Sequence, residues 1–195
     1  NVETNKTHYF SGVVVSGTFN MYGGSITGNN QSGKAVAGGG VYVGEGGIFN
    51  MYGGKITDNI SSSGGGVGVS GTFNMYGGTI SGNTADGTGT HGGGGVSVGS
   101  SSTFTMNGGT ITKNNATYGG GVYMGDNTTF TMENGTITGN NAGSGGGVYV
   151  SNSGAFTMNG GSITGNTAKN NGGGVFMYKK TTFTMENGTI TGNNA

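Results

Sequence analysis

Apolar residues recur along this chain in three short stretches, each alternating with polar or glycine positions, and the set comes back seven times. The first stretch is Val-x-Val or Val-x-Met, starting at Val13, Val41, Val67, Val96, Val122, Val148 and Val175. The second is Phe-x-Met, starting at Phe19, Phe49, Phe73, Phe104, Phe130, Phe156 and Phe183. The third is a single Ile, always seven residues after the Phe (Ile26, Ile56, Ile80, Ile111, Ile137, Ile163, Ile190). Three residues after each Ile stands an Asn: Asn29, Asn59, Asn83, Asn114, Asn140, Asn166 and Asn193. Alternation with a period of two predicts half-buried strands. No window carries apolar residues at helical spacing over two turns. Gly-Gly or Asn-Gly pairs, such as Gly23-Gly24 and Asn134-Gly135, part the second stretch from the third. Such pairs supply the positive φ that tight bends need.

Each unit spans 24 to 31 residues, a length typical of solenoid repeats. Length varies in two places only. The Val-to-Phe spacing is 6 or 8, and the Ile-to-next-Val spacing is 11, 12, 15 or 16. Those segments, Gly28–Gly40 and Ser81–Gly95 among them, are expected to project as loops from one corner. Three short strands cannot bury their apolar faces alone, whereas stacked units can. The predicted fold is therefore an all-β parallel β-helix of three sheets and about seven coils. It would fill residues 13–195 as one domain, after an N-terminal cap segment over 1–12. Val, Phe, Met, Ile and Asn would each lie on their own kind, ~4.8 Å apart, in a rod on the order of 34 Å long. Stacked Asn amides would satisfy one another along the axis.

Composition narrows the function. Of 195 residues, 50 are Gly, and there is no Pro or Cys. The fixed apolar register argues against disorder despite that glycine content. Only 7% of residues are charged, the net charge is zero and the cations are scattered lysines, so a nucleic-acid footprint is absent. The longest apolar run, Val13-Val14-Val15, is far short of the ~20 residues of a membrane span. A neutral Gly/Thr/Asn-rich chain fits an extracellular or cell-surface location better than a cytosolic enzyme. His8 and His91 have no metal-ligand partner at useful spacing, and the calcium nonapeptide is missing, so no cofactor is expected.

The segment Gly-Gly-Gly-Val-Tyr-Val, followed by Thr-Phe-Thr-Met-Asn-Gly-Gly-Thr-Ile-Thr-Gly-Asn, resembles the right-handed β-helix repeats of large bacterial cell-surface and adhesin-like proteins. The polymorphic outer-membrane type is related but matched less closely, because Gly-Gly-Gly-Val stands where it has Gly-Gly-Ala-Ile. The resemblance covers about residues 13–195. It implies right-handed winding, as does the handedness of parallel crossovers. It also implies a rigid stalk or adhesive module. Thr191 to Ala195 finish a third stretch without a cap. The chain thus reads as a fragment of a longer solenoid, or as one that stacks end to end with further coils.

Alternation also assigns the outer surface. The third stretch presents Ser25, Thr27, Thr57, Thr79, Ser81, Thr110, Thr112, Thr136, Thr138, Ser162, Thr164, Thr189 and Thr191, interrupted by Lys55. Stacking makes this a flat grid that resembles the ice-binding faces of antifreeze solenoids. Thr is also a good strand former that keeps an exposed sheet soluble. The second stretch carries a similar array, with Asn20, Asn50 and Asn74 in its early coils. The first stretch is expected to expose an aromatic stripe of Tyr42, Tyr123, Tyr149 and Phe176, and Tyr22, Tyr52 and Tyr76 form another at the bend after Met. Such stripes suit contact with a glycan or with a host or cell-surface protein. Parallel β-helices also host polysaccharide-active enzymes. Here Glu133 and Glu186 occupy equivalent positions two coils apart, with Asn159 between them, ~10 Å along the axis, a separation open to an inverting pair. The expectation is a non-catalytic structural and adhesive solenoid, with ice binding as the alternative and polysaccharide chemistry third.

Overall fold

The structure is a computed structural model that describes residues 11–32, 37–87 and 92–195. Most of the 1–12 cap segment, with His8, and His91 lie outside the described residues. Every regular element among the described residues is a strand. The Val stretches, from Val13–Val15 to Val175–Met177, form a first seven-stranded parallel sheet. The Phe stretches, Thr18–Met21 to Thr182–Met185, form a second, and the Ile stretches, Ser25–Thr27 to Thr189–Thr191, a third. Each strand pairs with its counterpart one repeat on, so one repeat makes one coil. Register is kept residue for residue: Val122 on Val148, Phe104 on Phe130, Ile111 on Ile137.

The inward residues make continuous ladders. Neighbouring Phe rings stack with centroids 4.7–5.0 Å apart and planes within 14° of parallel. That separation is the strand spacing itself, so side-chain stacking and backbone pairing ask for the same rise. Phe49, Phe73, Phe104, Phe130 and Phe156 are fully buried, as are Met51 to Met158 and Ile56 to Ile163 of the same coils. The Asn ladder is buried with them. Asn140 Nδ2 donates to Asn166 Oδ1 at 2.9 Å and to the Ile111 carbonyl at 3.0 Å. Its Oδ1 accepts from the backbone N–H and Nδ2 of Asn114 at 3.0 and 2.9 Å. No buried side-chain nitrogen or oxygen among the described residues lacks a partner, which removes the usual cost of an interior amide.

The glycine triplet before the first sheet has a steric cause at each place, as Gly119-Gly120-Gly121 illustrates. Gly119 has φ +63°, a conformation that L side chains rarely adopt. A Cβ on Gly120 would stand 2.5 Å from the Asn141 carbonyl oxygen. One on Gly121 would stand 2.6 Å from that of Gly147 and 2.8 Å from Ile137 Cγ2.

The three anticipated sheets are joined by a fourth, five-stranded one, made of Ile60–Ser61, Thr84–Ala85, Asn115–Tyr118, Asn141–Ser144 and Thr167–Asn171. These segments follow the Asn ladder and fall where projecting loops are expected from length variation. They are strands because alternation continues past the Asn. The residue two places on (Ser61, Ala85, Ala116, Ala142, Ala168) is buried, and the alanines lie in register on one another. The variable corner is therefore confined to shorter pieces between this sheet and the next coil.

Candidate functional site

The third sheet holds the Ser/Thr grid in register across all seven coils: Thr110 on Thr136 and Thr112 on Thr138, Thr136 on Ser162 and Thr138 on Thr164. Ser25, Thr27, Thr189 and Thr191 are exposed. Thr57, Thr79, Ser81, Thr110, Thr112, Thr136, Thr138, Ser162 and Thr164 are half-buried by their neighbours in the adjoining coils. Some hydroxyls bond to one another along the axis: Thr57 Oγ1 donates to Thr27 Oγ1 at 3.1 Å, and Ser162 Oγ to Thr136 Oγ1 at 3.3 Å. Lys55, exposed, breaks the grid in the second coil.

The aromatic stripe expected on the first sheet is not a free surface. Tyr42, Tyr123 and Tyr149 are buried, at 8%, 4% and 9% exposure, and Phe176 is half-buried. Segments leading from the fourth sheet cover this face. Tyr118 lies against Tyr149 with ring centroids 5.0 Å apart. Ala37 and Gly38 sit so close over Gly68 that a Cβ there would meet the Gly38 nitrogen at 2.5 Å. Ser63 Oγ donates to Ser97 Oγ at 3.0 Å. The Tyr42 hydroxyl donates to Ser70 Oγ at 3.2 Å. Burial raises the ionisation of Tyr123 above its ordinary value and pushes that of Tyr149 up to about 12. These aromatics act as a second, smaller core between the first sheet and its cover.

The exposed aromatics stand elsewhere. Tyr22, Tyr52 and Tyr76, at the bend between the second and third sheets, are 74%, 43% and 46% exposed. Their rings stack at 4.8 and 4.9 Å, with planes 7° apart. Two residues before each is an outward Asn, and these amides form their own ladder: Asn74 Nδ2 donates to Asn50 Oδ1 and Asn50 Nδ2 to Asn20 Oδ1, both at 2.9 Å. Two residues earlier again come Thr18, Ile48 and Thr72, paired in register. Coils one to three thus present a three-by-three patch of Thr/Ile, Asn and Tyr columns. In the later coils the first column is Thr broken by Ala155, the second is Thr throughout, and the third is Asn107, Glu133, Asn159 and Glu186. The outer face of the second sheet is therefore amide and aromatic at one end, hydroxyl and carboxylate at the other. Tyrosine and asparagine columns are each legible in the sequence. That they adjoin as one patch depends on the shared outward parity of residues 18, 20 and 22.

The repeated ladders, the glycine-walled corner and the four parallel sheets match one family model, described as a right handed beta helix region, over residues 2–190. This chain belongs to the right-handed β-helix family. No curated protein and no solved structure matches it significantly. The family assignment fixes the hand of the winding and leaves the chemistry to the β-helix's own surface. On that surface Glu133 accepts from Asn159 Nδ2 through both carboxylate oxygens at 3.1 Å. The intervening Asn159 is thus bonded to one member of the Glu133/Glu186 pair. Among the described residues no three His, Cys, Asp or Glu side chains are grouped to hold a metal ion, and no helix is long and apolar enough to cross a membrane.

Proposed function

We propose that this β-helix is a non-catalytic structural and adhesive module of the bacterial cell surface or extracellular space. Its binding face is the Asn–Tyr patch of coils one to three, and its ligand a neutral glycan. The observation that carries this reading is the exposed tyrosine stack beside the amide ladder. Rings stacked at 4.8–4.9 Å cover one another's faces, so Tyr52, between the other two, offers its edge and hydroxyl. Tyr22, the most exposed at 74%, has no ring stacked on its outer side among the described residues. The apolar face of a sugar ring fits there, and sugar hydroxyls meet the Asn amides and Tyr oxygens alongside. A chain of zero net charge favours a neutral polymer over an acidic one. Weak contacts of this kind gain strength when many copies act together on a surface.

The test is a glycan array probed with the purified chain and with the triple variant Tyr22→Ala/Tyr52→Ala/Tyr76→Ala. Binding to neutral glycans that the triple variant loses, and that Tyr149→Phe keeps, supports the proposal. Binding that survives the triple variant, or no binding to any glycan, overturns it.

The unbroken register of the Ser/Thr grid from Thr79/Ser81 to Thr189/Thr191 supports a second reading, an ice-ordering face. Thermal hysteresis that Thr110→Tyr or Thr136→Tyr abolishes would establish it. Round, freely growing ice crystals in the presence of the wild-type chain would dismiss it.

A further inference from the structure

Asn-Gly occurs at Asn107-Gly108, Asn134-Gly135, Asn159-Gly160, Asn171-Gly172 and Asn187-Gly188. Four of the five lie at the bend between the second and third sheets, but at two different places in it. Asn107 and Asn159 are its first residue, directly after Met106 and Met158. Asn134 and Asn187 are its second, after Glu133 and Glu186. That one-residue shift changes what the following glycine nitrogen does.

After a first-position Asn, the glycine N–H is spent on the preceding coil: Gly108 donates to the Met75 carbonyl at 3.2 Å and Gly160 to that of Met132 at 3.3 Å. The Asn159 amide is also turned away from its own backbone, donating to Glu133. After a second-position Asn, the glycine is the third residue of the bend, with φ +103° at Gly135 and +101° at Gly188. Its N–H donates to the side chain just before it: Gly135 N to Asn134 Oδ1 and Gly188 N to Asn187 Oδ1, both at 2.8 Å. Both asparagines are exposed. The Gly135 and Gly188 nitrogens are thus held beside the side-chain amide whose carbon they would attack, where Gly108 and Gly160 are tied to a carbonyl of the preceding coil, and that proximity favours ring closure.

We propose that Asn134 and Asn187 are built-in self-modification sites, deamidating in the folded protein while Asn107 and Asn159 are held back. Hydroxide removes the Gly135 N–H proton, and the nitrogen attacks Asn134 Cγ. The new C–N bond closes a five-membered succinimide as the Cγ–Nδ2 bond breaks, and Nδ2 takes up a proton from water and leaves as ammonia. Water then opens either carbonyl of the ring, giving aspartate or isoaspartate, with no change of oxidation state. Asn187 and Gly188 follow the same course. The product places a second carboxylate next to Glu133 and next to Glu186, on the same edge that carries Tyr22, Tyr52 and Tyr76 in the early coils. The late coils thus grow more acidic with age, and the aromatic end stays as it was.

The experiment is incubation of the purified chain at mildly alkaline pH, followed by peptide mapping that separates Asn, Asp and isoAsp forms. A parallel sample is kept unfolded in denaturant. In the folded chain Asn134 and Asn187 should convert at least about tenfold faster than Asn107 and Asn159, a barrier difference of ~1.4 kcal/mol. In denaturant the four sites should converge to similar rates, because there each is only an Asn-Gly dipeptide. A folded-state ratio near one, or faster conversion at Asn107 and Asn159, overturns the proposal. So does a site preference that persists unchanged in denaturant.

Discussion

A side-chain amide belongs in a protein interior only when both its donors and its acceptor are met, and Asn140 meets them through its neighbours above and below. Replacing it would strand groups that stay buried. In Asn140→Ala the Asn114 backbone N–H and one Asn114 amide donor lose their acceptor, and the Ile111 carbonyl loses a donor. The expected loss is about 3 kcal/mol, since each stranded group costs ~1–3 kcal/mol. Urea unfolding monitored by circular dichroism would show it as a lower midpoint. The same replacement at Asn29, which is half-buried and has a described neighbour on one side only, should cost less. This ladder was legible in the sequence because Asn falls three residues after every Ile. The fate of Tyr42, Tyr123 and Tyr149 was not. Alternation tells which side of a strand a residue takes, and it is silent on what other backbone lies over that side.

The cover over those tyrosines belongs to the next level, that of strands and sheets. Three sheets could be read from Val, Phe and Ile because large apolar side chains mark them. The fourth is marked only by Ala and Ser, which carry little hydrophobic signal, and its strands run two to five residues. A small residue two places after the ladder Asn of coils two to six was the available clue. Its role is sharpest at Tyr149, whose phenol is pushed up to about 12 chiefly by burial, with neighbouring tyrosines adding to it. A folded value raised above the ordinary 10.0 means that the neutral phenol stabilises the fold. That contribution is complete below pH 10 and is lost as pH climbs from 10 towards about 12. Tyr149→Phe should therefore lose less stability than wild type across that window. Alkaline unfolding curves of the two proteins, with tyrosinate absorbance followed alongside, would measure the difference. Equal losses would mean that the cover over Tyr149 opens before its phenol ionises.

Across the whole molecule, every coil hands the next inward Val, Phe, Met, Ile and Asn side chains at the same positions. Repeat architectures of this kind draw stability from each unit and from its contacts with its neighbours. Nothing in the scheme sets the number of coils. Removal of residues 122–147 would join Gly121 directly to Val148, where another Gly-Gly-Gly-Val junction stands in the intact chain. Val148 would then rest on Val96, Phe156 on Phe104, Ile163 on Ile111 and Asn166 on Asn114, each on its own kind. This shortened chain should fold with the same circular dichroism per residue and unfold at a somewhat lower urea concentration. A cut one residue shorter should fold as well, because it leaves an Ile-to-Val spacing of 12, the spacing between Ile163 and Val175 across which Phe156 still pairs with Phe183. Removal of Gly135 alone, inside the invariant Phe-to-Ile spacing, would put Ile137 out of register with Ile111 and should lower the urea midpoint far more. In genetic terms, slippage between tandem copies in the coding DNA is harmless when it moves by whole repeats or falls in the variable corner, and costly when it changes the fixed Phe-to-Ile spacing. The reach of the rod is thus open to revision by recombination without any side chain having to be reinvented.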